Sequence, residues 1–107
     1  MIVTTTPTIE GKKIHSYLGI VTGEAIIGTS LVKDLFAAVN DLVGTRSTEY
    51  EQALRHARQI AIEEMISEAK LMGGEAIVGV DLDYEVVHSG MLMVSVSGTA
   101  VIMSHDA

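Results

Sequence analysis

Cysteine is absent from this chain of 107 residues. That excludes disulfides, thiolate metal ligands and a thiol nucleophile, and it suits a reducing compartment. Tryptophan is also absent and aromatic residues make up 4%, so a core must be built from Ile, Val, Leu, Ala and Met. Pro7 is the one proline. Positive charge is scarce: seven Lys and Arg stand against fourteen Asp and Glu, for a formal net charge of −7 and a pI near 4.9. This balance argues against nucleic acid or an anionic membrane as partner, because both need cationic side chains. No apolar run approaches the ~18–20 residues that span a bilayer. Met1-Ile2-Val3-Thr4 lacks the basic start of a signal peptide, so the expected location is the cytoplasm.

What is abundant is aliphatic side chain. Hydrophobic residues reach 48% and the mean hydropathy is +0.36. A chain of this length forms one domain, residues 1–107, with a thin core. It has too little interior for so much apolar surface, and exposed patches of more than a few hundred Å² usually mark interfaces. Copies of the same chain are the expected cover.

The pattern along the chain predicts strands at both ends and helices between, a two-layer α+β fold. Residues 2–6 are rich in β-branched types and read as a short strand ended by Pro7. Residues 13–28 read as one or two strands, with breaks at Gly19 and Gly23. Ser30 is a candidate N-cap for a short helix carrying Leu31, Leu35, Val39 and Leu42 at helical spacing, ended by Gly44. Residues 48–72 predict a long helix. Thr48 and Glu51 have capping-box spacing, and Tyr50, Leu54, Ala57, Ala61, Met65, Ala69 and Met72 fall on one face. Ile60, Ile62, Ile66 and Leu71 lie off that stripe, so a neighbouring subunit is expected to cover some of them. Gly73-Gly74 ends the helix. Residues 75–87 alternate, with Val78, Val80, Leu82, Tyr84 and Val86 facing one way and Gly79, Asp81, Asp83 and Glu85 the other. His88-Ser89-Gly90 reads as a turn to a last strand, 91–103, completing an antiparallel hairpin.

Several blocks together carry a family resemblance. Thr22-Gly23-Glu24-Ala25-Ile26-Ile27-Gly28, Lys33-Asp34-Leu35-Phe36-Ala37, Arg46-Ser47 with Tyr50-Glu51, and Ala57-Arg58 with Glu64-Met65 run in order through the first two thirds. Ala76-Ile77-Val78-Gly79-Val80-Asp81 with Asp83-Tyr84-Glu85, and Met91 to Val101, complete the set. The ordered set resembles the YbjQ-like family over nearly the whole chain. The resemblance implies a sandwich of an antiparallel β-sheet with one long and one short helix, assembled as a ring, a homopentamer. It brings the description "putative heavy-metal-binding" but no catalytic residues. Thr45 departs from the glycine that the family tends to have before the Arg-Ser pair; if that backbone needs φ > 0, threonine there is strained.

The metal description meets a difficulty in the composition. Soft metals favour thiolate and thioether ligands, there is no cysteine, and the methionines Met65 and Met72 fall on the helix's core face. Met91 and Met93 share a strand face, as packed residues also do. His15, His56, His88 and His105 show no paired ligand spacing. The strongest local feature is the row Asp81, Asp83, Glu85, which strand alternation puts on one face. Three like charges so close repel unless paired or bound to a cation. In a ring the row could build an oxygen-rich site for Ca²⁺, Mg²⁺ or Mn²⁺, or pair with Arg46, Arg55, Arg58 or Lys70 of a neighbour.

Other motifs are weaker. Gly23 to Ser30 departs from a phosphate loop where Thr29 replaces the lysine. Ser30-Leu31-Val32-Lys33 matches S-x-x-K without the further motifs such enzymes need. Arg46-Ser47 precedes the long helix, whose N-terminus and the guanidinium fork together favour an acidic group, be it a small anion or a neighbour's carboxylate. The expectation is a non-enzymatic homo-oligomer that binds a small ligand or ion between subunits, with no cofactor identified beyond a candidate divalent cation. The alternatives are a metal-handling protein using Asp81, Asp83 and Glu85, and, last, an enzyme of unknown reaction.

Overall fold

The computed structural model describes residues 1–28, 48–88 and 91–105. Its elements are β1 (Ile2–Val3), β2 (Ile14–Ile27), α1 (Thr48–Leu71), β3 (Ala76–His88) and β4 (Met91–Met103). The four strands form one sheet in the order β1-β3-β4-β2. β3 and β4 make the expected antiparallel hairpin, and β2 lies antiparallel on the other side of β4. β1 pairs parallel with β3. The sheet is therefore mixed, which corrects the expectation of an all-antiparallel one. The cause is the short N-terminal segment, which runs alongside β3 instead of returning by a hairpin. Beyond Val3 it continues through Thr4, whose N–H donates to the Ile77 carbonyl at 2.9 Å.

Of the two arrangements open for residues 13–28, the structure has the single strand, Ile14–Ile27. β2 runs through Gly19, where φ is 137° and the register with β4 shifts, and through Gly23. At Gly23 the reason for glycine is proximity. A Cβ there would lie 1.8 Å from the Ala61 carbonyl oxygen, so β2 and α1 meet backbone to backbone.

The alternation read along β3 is also corrected. Gly79 adopts φ +62°, and Gly79 and Val80 together oppose the single residue Gly98, with Val78 paired to Thr99 and Asp81 to Ser97. This β-bulge inserts one residue and reverses the facing of the strand beyond it. Val78 therefore packs with Ala76, Val101 and Met103, while Val80 joins Ile77 under the helix. The bulge's two amides stay satisfied: Gly79 N–H donates to the Thr6 carbonyl at 2.9 Å and Val80 N–H to the Thr4 carbonyl at 3.1 Å.

One layer of helix covers one face of the sheet. Ala57, Ala61, Met65 and Ala69 are buried on α1, at the i, i+4 spacing of a single face. They meet Val21 and Ile27 of β2, Ile77 and Val80 of β3, and Val94, Val96 and Ala100 of β4. Burying Met65 fully contributes about 2–3 kcal/mol. The small alanines let the helix approach closely. α1 ends in a Schellman motif, with Gly73 N–H donating to the Lys70 carbonyl at 3.0 Å and Gly74 N–H to that of Ala69 at 2.8 Å. Gly73 is the left-handed residue, at φ +83°.

The short helix expected after Ser30, its terminus at Gly44, and Thr45 lie outside the described residues, as does the turn at Ser89-Gly90; His88 belongs to β3. No helix among the described residues is long and apolar enough to cross a membrane.

Candidate functional site: the open face of the sheet

Directly paired residues of an antiparallel sheet share a face, and the register therefore lays out the surface opposite the helix. Asp81 pairs with Ser97, which pairs with Thr22. Asp83 pairs with Ser95, which pairs with Glu24. Glu85 pairs with Met93, which pairs with Ile26. On the other flank, Val78 pairs with Thr99, which pairs with Ile20. The result is a polar belt of four carboxylates and two small serines, bordered by aliphatic side chains at both ends.

Three large side chains of this face on β2 lie in the open, while Ile14 is half-buried against Ala76, Val78, Val101 and Met103. Ile20 is 75% exposed, Tyr17 68% and Ile26 55%. On α1 the four residues off the main stripe divide into two pairs. Ile62 and Ile66 are half-buried against the subunit's own core, whereas Ile60 and Leu71 are exposed. The sheet therefore carries an exposed apolar surface in addition to the one on the helix.

The expected row Asp81, Asp83, Glu85 does share this face, and all three are exposed. They follow the bulge, where the strand alternates regularly. Glu24 joins them from β2. The alternation of β2 indicated its face, but the pairing that brings it opposite Ser95 is long-range. Asp81 first, by sharing a proton with the neighbouring carboxyl and by its charge, then partial desolvation and Glu85's charge, push the Asp83 carboxyl above its ordinary value. Like charges are thus crowded on the open face. Among the described residues no three His, Asp or Glu side chains come together as a metal-binding group. His15 and His56 are exposed, Met65 is buried in the core, and Met91 and Met93 are half-buried on β4. Arg46 and Ser47 lie outside the described residues.

Two clefts lined by described residues lie on the helix side. One, of about 210 Å³, is apolar and runs between Ala25, Ile26 and Ile27 of β2, with the following Gly28, and Ala53, His56, Ala57 and Ile60 of α1. The other, of about 260 Å³, is lined by Glu51, Leu54, Arg55 and Arg58. Arg58 donates to the Tyr84 hydroxyl at 3.2 Å, which ties this flank of α1 to the far half of β3.

A third cluster, unforeseen in the sequence, fastens the end of β4. The Glu75 carboxylate accepts from the Met103 N–H at 2.8 Å and pairs with His105 Nε2 at 2.7 Å. The Met103 bond first, and His105 second, hold its carboxyl below its ordinary value. Because the folded pKa is depressed, Glu75's stabilising share is complete above the unfolded value, near 4.5, and is lost as pH falls through the folded value. Thermal melts should therefore show wild type above Glu75→Gln at pH 7, with the two curves converging below about pH 4. A gap that stays constant down to acid pH would contradict this role.

Comparison with known proteins places the chain. A UPF0145 protein of Bacillus cereus (strain ZK) is 61% identical over 101 residues, covering 94% of this chain and 98% of the relative. A UPF0145 protein of Bacillus thuringiensis subsp. konkukian strain 97-27 matches to the same extent. Among solved structures, a protein of unknown function of the DUF74 family from Pediococcus pentosaceus ATCC 25745 shares the fold. Its TM-score is 0.56 at 19% identity, covering 97% of this chain and 98% of that one. Residues 1–104 match the profile of the YbjQ family, described as "Putative heavy-metal-binding", and this chain belongs to that family.

Proposed function

We propose that the chain is the subunit of a homo-oligomeric, non-enzymatic binding module whose interfaces between copies hold a small ligand or ion. One observation carries this reading: among the described residues a helix lies on one face of the sheet only, and the other face bears Tyr17, Ile20 and Ile26 in the open beside crowded carboxylates. A two-layer domain normally buries both apolar sides of its sheet or keeps the outer one polar. β2 is also an edge strand of fourteen residues. A long edge of this kind invites pairing unless something covers it. A sister chain accounts for both features, and the family resemblance points to a closed ring of five. The acidic surface and the lack of cysteine support a cytoplasmic setting.

A second reading is favoured by the crowding of Asp81, Asp83 and Glu85 on one exposed face and by the family's description. In it, carboxylates of several copies converge on a hard divalent cation. Native mass spectrometry at micromolar concentration, run with and without Ca²⁺, Mg²⁺ and Mn²⁺, addresses both. The first reading predicts a multiple of 11.4 kDa in the absence of metal, and a monomer ends it. The second predicts added metal ions that disappear in Asp81→Asn/Asp83→Asn, and an unaltered mass with every metal removes it.

A further inference from the structure

We propose that the open sheet face of one subunit docks onto the α1 flank of the next copy, so that Asp81, Asp83 and Glu85 are received by Arg55 and Arg58 of that copy. This rests on the homo-oligomer reading and gives it a specific contact. Charge complementarity is the first support. The chain is strongly acidic, yet Arg55 and Arg58 share one helical flank and line one cleft of about 260 Å³. Spacing is the second. Residues i and i+3 on a helix present side chains ~5–6 Å apart, and residues i and i+2 on a strand ~6.7 Å apart. Two guanidinium groups along the flank therefore match two carboxylates along β3 and can take them as forked pairs.

The neighbouring surfaces agree in character. The cleft includes Leu54, with Tyr84 held at its margin by Arg58, and Val86 is exposed further along β3. On the opposing surface Ile20, Ile26 and Met93 border the carboxylates. An arginine partner would also reverse the crowding that keeps the Asp83 carboxyl raised in the single chain. The two surfaces lie on opposite layers of the subunit, so the contact is head-to-tail and continues from copy to copy until a ring closes.

The test uses two full-length variants, Asp81→Arg/Asp83→Arg and Arg55→Glu/Arg58→Glu, and their four-fold combination. Circular dichroism first establishes that each is folded. By native mass spectrometry each double variant alone should be monomeric, its assembly weakened on the order of a hundredfold or more. Mixed one to one, they should associate only with each other, as heterodimers and longer alternating species, because each variant repels itself and attracts the other; strict alternation does not close a ring of five. The four-fold variant should return to the wild-type mass. With an assembled wild type, three outcomes overturn the proposal. The double variants could keep the wild-type mass. Their mixture could stay monomeric. Or Arg55→Glu/Arg58→Glu could remain assembled while losing calorimetric binding of inorganic phosphate, which would make the cleft an anion site. A monomeric wild type instead overturns the oligomer reading itself, and the docking with it.

Discussion

Gly23→Ala is expected to lower the melting temperature by about 15 °C or to unfold the subunit, the largest effect of any single methyl group in this protein. The added Cβ would stand 1.8 Å from the Ala61 carbonyl oxygen, 2.8 Å from its carbonyl carbon and 2.9 Å from the Met65 nitrogen. All three are backbone atoms in the middle of α1, so no rotamer change relieves the clash. The helix must lift from β2, and the contacts of Ala57, Ala61, Met65 and Ala69 with the sheet go with it. Overpacking a core usually costs about 1–3 kcal/mol, and a clash with rigid backbone belongs at the upper end or beyond. In a domain of this size each kcal/mol is worth ~4–8 °C. Ser67→Ala, on the exposed side of the same helix, should stay within about 0.5 kcal/mol of wild type. Thermal melts of the two variants check this. Equal melting temperatures would mean that α1 does not rest on β2 as described.

The same contact illustrates what was legible in the sequence. Gly23 looked like a strand break, because glycine has low strand propensity and its neighbours alone give no other reason for it. Its role depends on Ala61, far along the chain. The long helix was legible because its period, its alanine and methionine stripe and the Gly73-Gly74 terminus are all local. So was the β3–β4 hairpin, whose strands need only a short connection.

The facing of Val78 and Val80 was misread because a bulge is not a local property. It depends on Gly79 taking a positive φ, on Gly98 across the ladder having no side chain, and on Thr4 and Thr6 receiving the two displaced amides. A Cβ on Gly98 would lie 2.6 Å from Ile77 Cγ2, so glycine there leaves room for Ile77 and Val80 to lie side by side under the helix. Asp81, Asp83 and Glu85 were nevertheless assigned to one face correctly, since all three follow the bulge. Glu24 and the Glu75–His105 pair escaped notice for the opposite reason. Their partners lie across β4 or at the far end of it, and no spacing signals such a meeting.

The exposed aliphatic surface is divided between the two layers. On α1, Ile62 and Ile66 are half-covered within the subunit while Ile60 and Leu71 stay exposed, and the side chains of β2 carry a further exposed load that the strand pattern alone did not single out. Burying a side chain the size of isoleucine is worth about 1.5–3 kcal/mol, so Ile20, Ile26 and Tyr17 together could supply much of the free energy of a stable contact. The carboxylates among them would confer specificity and orientation. If a sister chain lies over this face, every one of these side chains is dry in the assembly and wet in a lone subunit.

The lack of cysteine allows that difference to be measured with one thiol. Ile20→Cys creates a unique reactive group at a position 75% exposed in the single chain, and its rate with a charged, water-soluble disulfide reagent can be compared in native and urea-unfolded protein. Covered by the next copy, the thiol should react about two orders of magnitude more slowly in the native state, with the protection fading as the protein is diluted and chains separate. Labelling at nearly the unfolded rate, whatever the protein concentration, would mean that water and not a sister chain lies over this face.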